Sequence, residues 1–247
     1  NWDNLSSNQE EPTNWSSFKT ATGSFATFAS KQVERSSNVR SGATGSYCAR
    51  IWSKSTLGIV ANGVVTTGRM NMGSSNLSSP DNYNYTVLND AAFSEALTLA
   101  PDSIVFWARY TAAATQKAGM HAVIHDQFAV QDPINAASEL FIVADADFQF
   151  SPTNNTWTRF SVPFNYTVNT GLAPKFILLT FTTNHIPGGG NANDEVLIDD
   201  VELIYNLVGI GAQNVNQGLL ISIDENKLVL IEGSDPQEVV EIYKLSG

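Results

Sequence analysis

The chain has 247 residues, 43% of them hydrophobic, enough to bury a sizeable core in one large domain with room for a small appendage. Its 24 acids against 13 bases leave a net charge of −11, which repels phosphate backbones and anionic lipid and argues against nucleic-acid and membrane-surface roles. No apolar run reaches the ~18 residues needed to span a bilayer, so no membrane insertion is expected.

Only 15% of residues are charged, while Ser, Thr and Asn abound, a balance that suits strands and loops better than helical surfaces. The chain opens on Asn1 and reads as a mature or trimmed sequence, with any export signal outside it. Residues 1–14 are polar, and Trp2 and Trp15 are expected to anchor them on the core. A turn at Ser41–Gly45 leads into an alternating run. There Tyr47, Ala49 and Ile51 share the better core face, and Cys48, Arg50 and Trp52 face outward or into a groove. Cys48 is the only cysteine, so no intrachain disulfide can form, and a buried apolar role is its default. Gly58–Thr67 is β-branched and split by Asn62-Gly63, a hairpin signal.

Met70–Tyr85, rich in Asn, Ser and Tyr, reads as a long loop, and Phe93–Leu99 fits a helical turn or a strand equally. Ser103–Tyr110 is the clearest central strand, with Ile104, Phe106, Ala108 and Tyr110 on one face and Val105, Trp107 and Arg109 on the other. His121–Phe128 alternates again, with His121, Val123, His125 and Gln127 on one side. Glu139–Phe150, Thr156–Tyr166, Lys175–Thr183 and Asp194–Tyr205 add further strands, the last carrying Asp199-Asp200 between apolar runs. Strands separated by turn signals, without a long amphipathic helix, predict an all-β sandwich over residues 1–206. Beyond it, 207–247 reads as a small-residue linker and a small C-terminal β appendage with strands at Leu219–Ile223, Leu228–Ile231 and Val239–Leu245.

Several segments, in order, resemble the jelly-roll putative carbohydrate metabolism domain of gut Bacteroidetes surface proteins. They are Ser41-Gly-Ala-Thr-Gly-Ser-Tyr47, Ile104-Val-Phe-Trp-Ala-Arg-Tyr110, Trp157-Thr-Arg-Phe-Ser-Val-Pro163, Phe176–Thr183 and Val196–Tyr205. The resemblance covers most of 15–206 and implies a jelly-roll β-sandwich, glycan or polysaccharide as partner, and a secreted or outer-membrane-associated cell-surface setting. The tail Val240–Gly247 is similar to the start of a secretion-sorting domain, although Asp224–Asn226 stands where such domains carry an Asn-Pro turn. In related jelly rolls an acid at the place of Asp199 helps hold a structural calcium, so the resemblance implies one here. Asp3 or Glu10 are the candidate early acids. No other cofactor is required.

Sugar rings pack their CH-rich faces on aromatic side chains while polar neighbours capture hydroxyls. Trp52 and Trp107, beside Arg50 and Arg109, with His121 and His125 on a nearby strand, therefore form a candidate glycan platform; packing beneath a second layer is the alternative. His121 and His125 cannot share one zinc ion from a strand, where four residues span about 13 Å. Glycoside hydrolysis would need a carboxylate pair, for which Asp145 and Asp147 share a face, with Asp126, Asp132 and Glu139 close in sequence. No Gly-x-Ser-x-Gly elbow is present, and Gly188-Gly-Gly190 lacks the following Lys-Ser/Thr of a phosphate loop. Noncatalytic carbohydrate binding is the expected function. A hydrolase and an adhesive module with protein partners at the cell surface are the alternatives.

Overall fold

A computed structural model describes residues 2–5, 9–56, 58–113, 115–166, 169, 171–205, 220–223 and 229–232. The chain divides into two units, Asn1–Tyr205 and Asn206–Gly247. In the first, β1 (Trp2–Leu5), β2 (Gln9–Pro12), β3 (Val33–Ser36), β4 (Cys48–Trp52), β5 (Lys54–Thr56) and β6 (Ile59–Ala61) come before the chain first enters the second main sheet. Then follow β7 (Val64–Thr66), β8 (Arg69–Met72), β9 (Asn82–Tyr85), β10 (Glu95–Ala96), β11 (Ser103–Thr111) and β12 (Ala118–His125). The unit ends with β13 (Gln131–Asp132), β14 (Ile142–Phe150), β15 (Thr158–Pro163), β16 (Phe176–Thr182) and β17 (Glu195–Ile204). In the second unit β18 (Leu220–Ile223) and β19 (Val229–Glu232) form an antiparallel pair; the third strand expected there, Val239–Leu245, lies outside the described residues.

Two antiparallel sheets make the jelly-roll sandwich. The first runs β15-β11-β17-β4-β3; the second runs β10-β16-β12-β14, with β7 added to the β16 edge. Both are long-range pairings, and their inner faces alternate as a half-buried sheet requires. Ile104, Phe106, Ala108 and Tyr110 of β11 are fully buried and meet Met120, Ala122 and Ile124 of β12 in one core. Phe106 sits at its centre, 5.0 Å from Phe181, 5.4 Å from Phe160 and 5.8 Å from Phe150, at the offset or edge-on angles that ring quadrupoles favour. Trp2 and Trp15 pack on this core as expected, and Trp15 stacks on Phe181 at 6.0 Å.

Two sequence expectations change, and one left open is resolved. Asn62-Gly63 is not a hairpin turn: β6 pairs back with β5, while β7 crosses to the second sheet. Asn62 is buried there, its amide donating to the carbonyls of Asn184 (2.9 Å) and Ile186 (2.8 Å). Gly63 is required for a different reason from a turn, since a Cβ would lie 2.5 Å from the Trp52 carbonyl oxygen. Met70–Tyr85 is not a continuous loop, because β8 and β9 pair within it. All four β9 residues are half-buried, so the strand has no apolar alternation to betray it. Phe93–Leu99 holds parts of both options, the end of a single 3-10 turn at Ala91–Phe93 and the short β10.

The outer face of the second sheet is closed at one end and open at the other. At the closed end Val123 and Leu178 pack with Val130 and Ile142 in a satellite cluster, under the segment between β12 and β14. At the open end a cleft remains.

Candidate functional site: a cleft on the second sheet

The cleft floor is a row of residues in register across three strands. His121 of β12 stands opposite Asp147 of β14 on one side and Thr180 of β16 on the other. Period-two alternation sends all three to the outer face. One wall is the β8–β9 hairpin with its connecting residues, which supplies Asn71, Met72, Leu77, Asn82, Tyr83 and Asn84. The other is the loop after β16, which supplies Asn184, His185, Pro187 and Gly188. The cavity between them is about 330 Å³, within the ~300–1,000 Å³ of small-molecule sites.

Local bonds hold both walls. Asn84 donates to the Thr180 hydroxyl at 3.2 Å, and β13 pairs Asp132 with Asn84. Asn184 accepts from the Ile186 N–H at 2.9 Å and is itself held by Gln116. Gly188 has φ +69 and approaches Leu77 so closely that a Cβ would lie 2.9 Å from its Cδ1, so the two walls touch. Tyr83 is half-buried, its ring 5.6 Å from that of Tyr85 and edge-on to it.

His121 is held in the cleft by a carboxylate. Its Nδ1 lies 2.9 Å from Asp132 Oδ1, and half-burial of the pair keeps the contact poorly screened. Burial alone would lower its pKa, but Asp132, with help from Asp147 and Asp145, raises it above 6.5. That bond leaves Nε2 as the ring's other polar atom, and among the described residues it has no hydrogen-bond partner.

The expected platform is divided by the fold. Trp52, Trp107, Arg50 and Arg109 lie on the outer face of the first sheet, His121 and His125 on the second. Each tryptophan is half-buried and has an arginine on one ring face. The Arg40 guanidinium sits 4.9 Å from the Trp107 centroid, held by Asp200 at 2.6 Å from its Nε. Arg50 lies 4.8 Å from the Trp52 centroid and bonds both Glu195 and Glu34 at 2.6 Å. Arg109 is taken by Asn38 (3.1 Å) and lies 5.9 Å from the Trp157 centroid. These arginines close a cation–π layer over the sheet. His125 is fully buried, contrary to an outward-facing role. Its Nε2 meets the Thr86 hydroxyl at 2.9 Å, its ring stacks on Phe176 at 5.6 Å, and burial lowers its pKa to about 4.

Asp199 does not point toward the core. A bulge places Asp200 and Val201 opposite Phe106 alone, with Asp200 at φ +43, so the parity of β17 changes within the strand. Asp199 therefore sits opposite Trp107 on the outer face, while Val201 and Leu203 pack on the core. Its Oδ1 accepts the Asp200 N–H at 3.0 Å; its Oδ2 is buried and without a partner among the described residues. Burial, then repulsion from Asp200, raises its pKa. Asp200 is committed to Arg40 and Thr44, Asp3 to Thr13, and Glu10 to Arg35. Among the described residues no group of three metal-ligating side chains converges. Cys48, buried beside Asp199, has its thiol pushed up to about 11 chiefly by burial, and donates to the carbonyls of Ser36 and Asn38. It is an inert packing residue.

Fold and cleft together define an all-β jelly-roll sandwich with an open site on one outer face. No family model and no curated protein matches the sequence. Solved structures do match. A putative glycoside hydrolase from Bacteroides vulgatus aligns with TM-score 0.55 and 16% identity over 82% of this chain and 89% of that one. A second putative glycoside hydrolase, from Bacteroides thetaiotaomicron, aligns with TM-score 0.53 and 17% identity over 83% of this chain; the match spans 66% of that longer protein. At these identities the likeness is one of fold. No helix among the described residues is long and apolar enough to cross a membrane.

Proposed function

We propose that the protein binds glycan or polysaccharide without catalysis, in the cleft of the second sheet, as part of a secreted or cell-surface protein. The observation that carries this reading is the cleft itself. An open concavity has His121 and Thr180 on its floor, Tyr83 and Leu77 for the apolar face of a sugar, and the amide oxygens of Asn71 and Asn84, the Asp147 carboxylate and His121 Nε2 for its hydroxyls. The likeness in fold to two Bacteroides proteins described as putative glycoside hydrolases supports a carbohydrate setting. A glycan array probed with the intact chain and with Tyr83→Ala tests it. Saturable binding that disappears in a variant with unchanged melting supports the reading; equal binding by both proteins refutes the cleft as the site.

One arrangement favours hydrolysis as a second reading. Asp132 and Asp147 both line the cleft and flank His121, so two carboxylates face one cavity, as cleavage of a glycosidic bond requires. Release of reducing ends by the wild type, abolished in Asp147→Asn with binding retained, would establish it.

A further inference from the structure

We infer that the cleft selects uncharged glycans and rejects those bearing carboxylate or sulfate groups. The inference rests on carbohydrate binding in the cleft and concerns which class of glycan enters it. The acidic and basic side chains of the lining are Asp132, Asp147, His121 and His185, with the phenol of Tyr83; no lysine or arginine is among its described residues. Asp132 is engaged by His121, so one carboxylate is offset by the imidazole it holds. Asp147 is exposed and stands in register with His121 on the floor, where an incoming sugar would lie.

The cation carried by the β8 wall is turned away. Arg69 of β8 donates from Nε to the Thr20 carbonyl at 3.2 Å, and its guanidinium covers the Phe93 ring at 4.7 Å. Recognition of a uronate or sulfate ester depends on a positioned cation, usually the fork of an arginine. Here an anionic sugar would meet the Asp147 carboxylate, within a chain of net charge −11. A neutral sugar meets acceptors its hydroxyls can satisfy, the amide oxygens of Asn71 and Asn84 and the Asp147 carboxylate, with His121 Nε2 beside them.

Matched neutral and anionic polymers test this at about 10 mM salt, where charges act over ~30 Å before they are screened. The pairs are methyl-esterified and de-esterified polygalacturonate, hydroxyethyl- and carboxymethyl-cellulose, and desulfated and native carrageenan, each run by affinity electrophoresis with wild type, Asp147→Asn and Asp147→Lys. Retardation is expected with neutral members only, at least about tenfold tighter than with their anionic mates. Asp147→Lys should narrow that gap about tenfold and Asp147→Asn by less. An anionic member bound as tightly as its neutral mate overturns the inference and leaves carbohydrate binding standing. Failure of all six to bind the wild type overturns both.

Discussion

The two outer faces of this sandwich carry similar chemistry and use it in opposite ways. On the first sheet the aromatic rings are large and numerous, yet Arg40 lies on Trp107, Arg50 on Trp52, and Arg109 beside Trp157, each arginine fixed by a carboxylate or an amide. On the second sheet the polar groups are more modest, but a hairpin and a glycine-containing loop rise around them and leave about 330 Å³ open. An aromatic side chain near an arginine is therefore not a sugar site in itself. What decides is whether neighbouring elements leave its face free.

The second face is not open throughout, and its closed end should show the largest effect. His125 is held neutral, with a pKa of about 4, whereas an unfolded chain takes up that proton near 6.5. Between those values the unfolded state binds more protons, so stability falls as pH falls from about 6.5 to about 4, by roughly 3 kcal/mol. Denaturant titrations across that window should show the loss in wild type, and a much smaller one in His125→Gln. His121 acts in the opposite sense. Its raised pKa contributes stability that is present below 6.5 and lost as pH rises through the folded value.

Next in size is binding at the open end. Removing the Tyr83 ring should cost about 2 kcal/mol of glycan affinity, or ~30-fold, read by isothermal titration, with melting nearly unchanged. On the first face Arg40→Met should cost about 2 kcal/mol of stability and no affinity, because it strands the partly buried Asp200; fully buried pairs lose ~3–5. The smallest effect expected is that of Trp52→Ala on binding, within about twofold. A large loss there would erase the distinction between the faces.

Much of the framework was legible in the sequence. Ile104, Phe106, Ala108 and Tyr110 follow strict alternation, and all four are buried as the pattern predicts. The same logic failed at Asp199 because one extra residue in β17 shifts the parity, and nothing in the local composition marks that bulge. It failed at β9 because a strand half-buried along its whole length lacks a hydrophobic face, although its Asn-Tyr-Asn-Tyr composition is that of a recognition surface. Parity placed His125 with His121 correctly, but not what covers it. Phe176 comes from the neighbouring strand and Thr86 from a distant segment, and single-strand periodicity cannot report either contact. The assignment of the two tryptophans and two histidines to different sheets depended on strand order, a property of long-range pairing.

Hydrogen exchange read by mass spectrometry, with and without a neutral glycan selected on the array, tests most directly which face binds. The account predicts new protection in residues 82–85 and 184–191, with residues 38–47 unchanged. Protection in 38–47, around Arg40 and Trp107, with none at the cleft walls would contradict it.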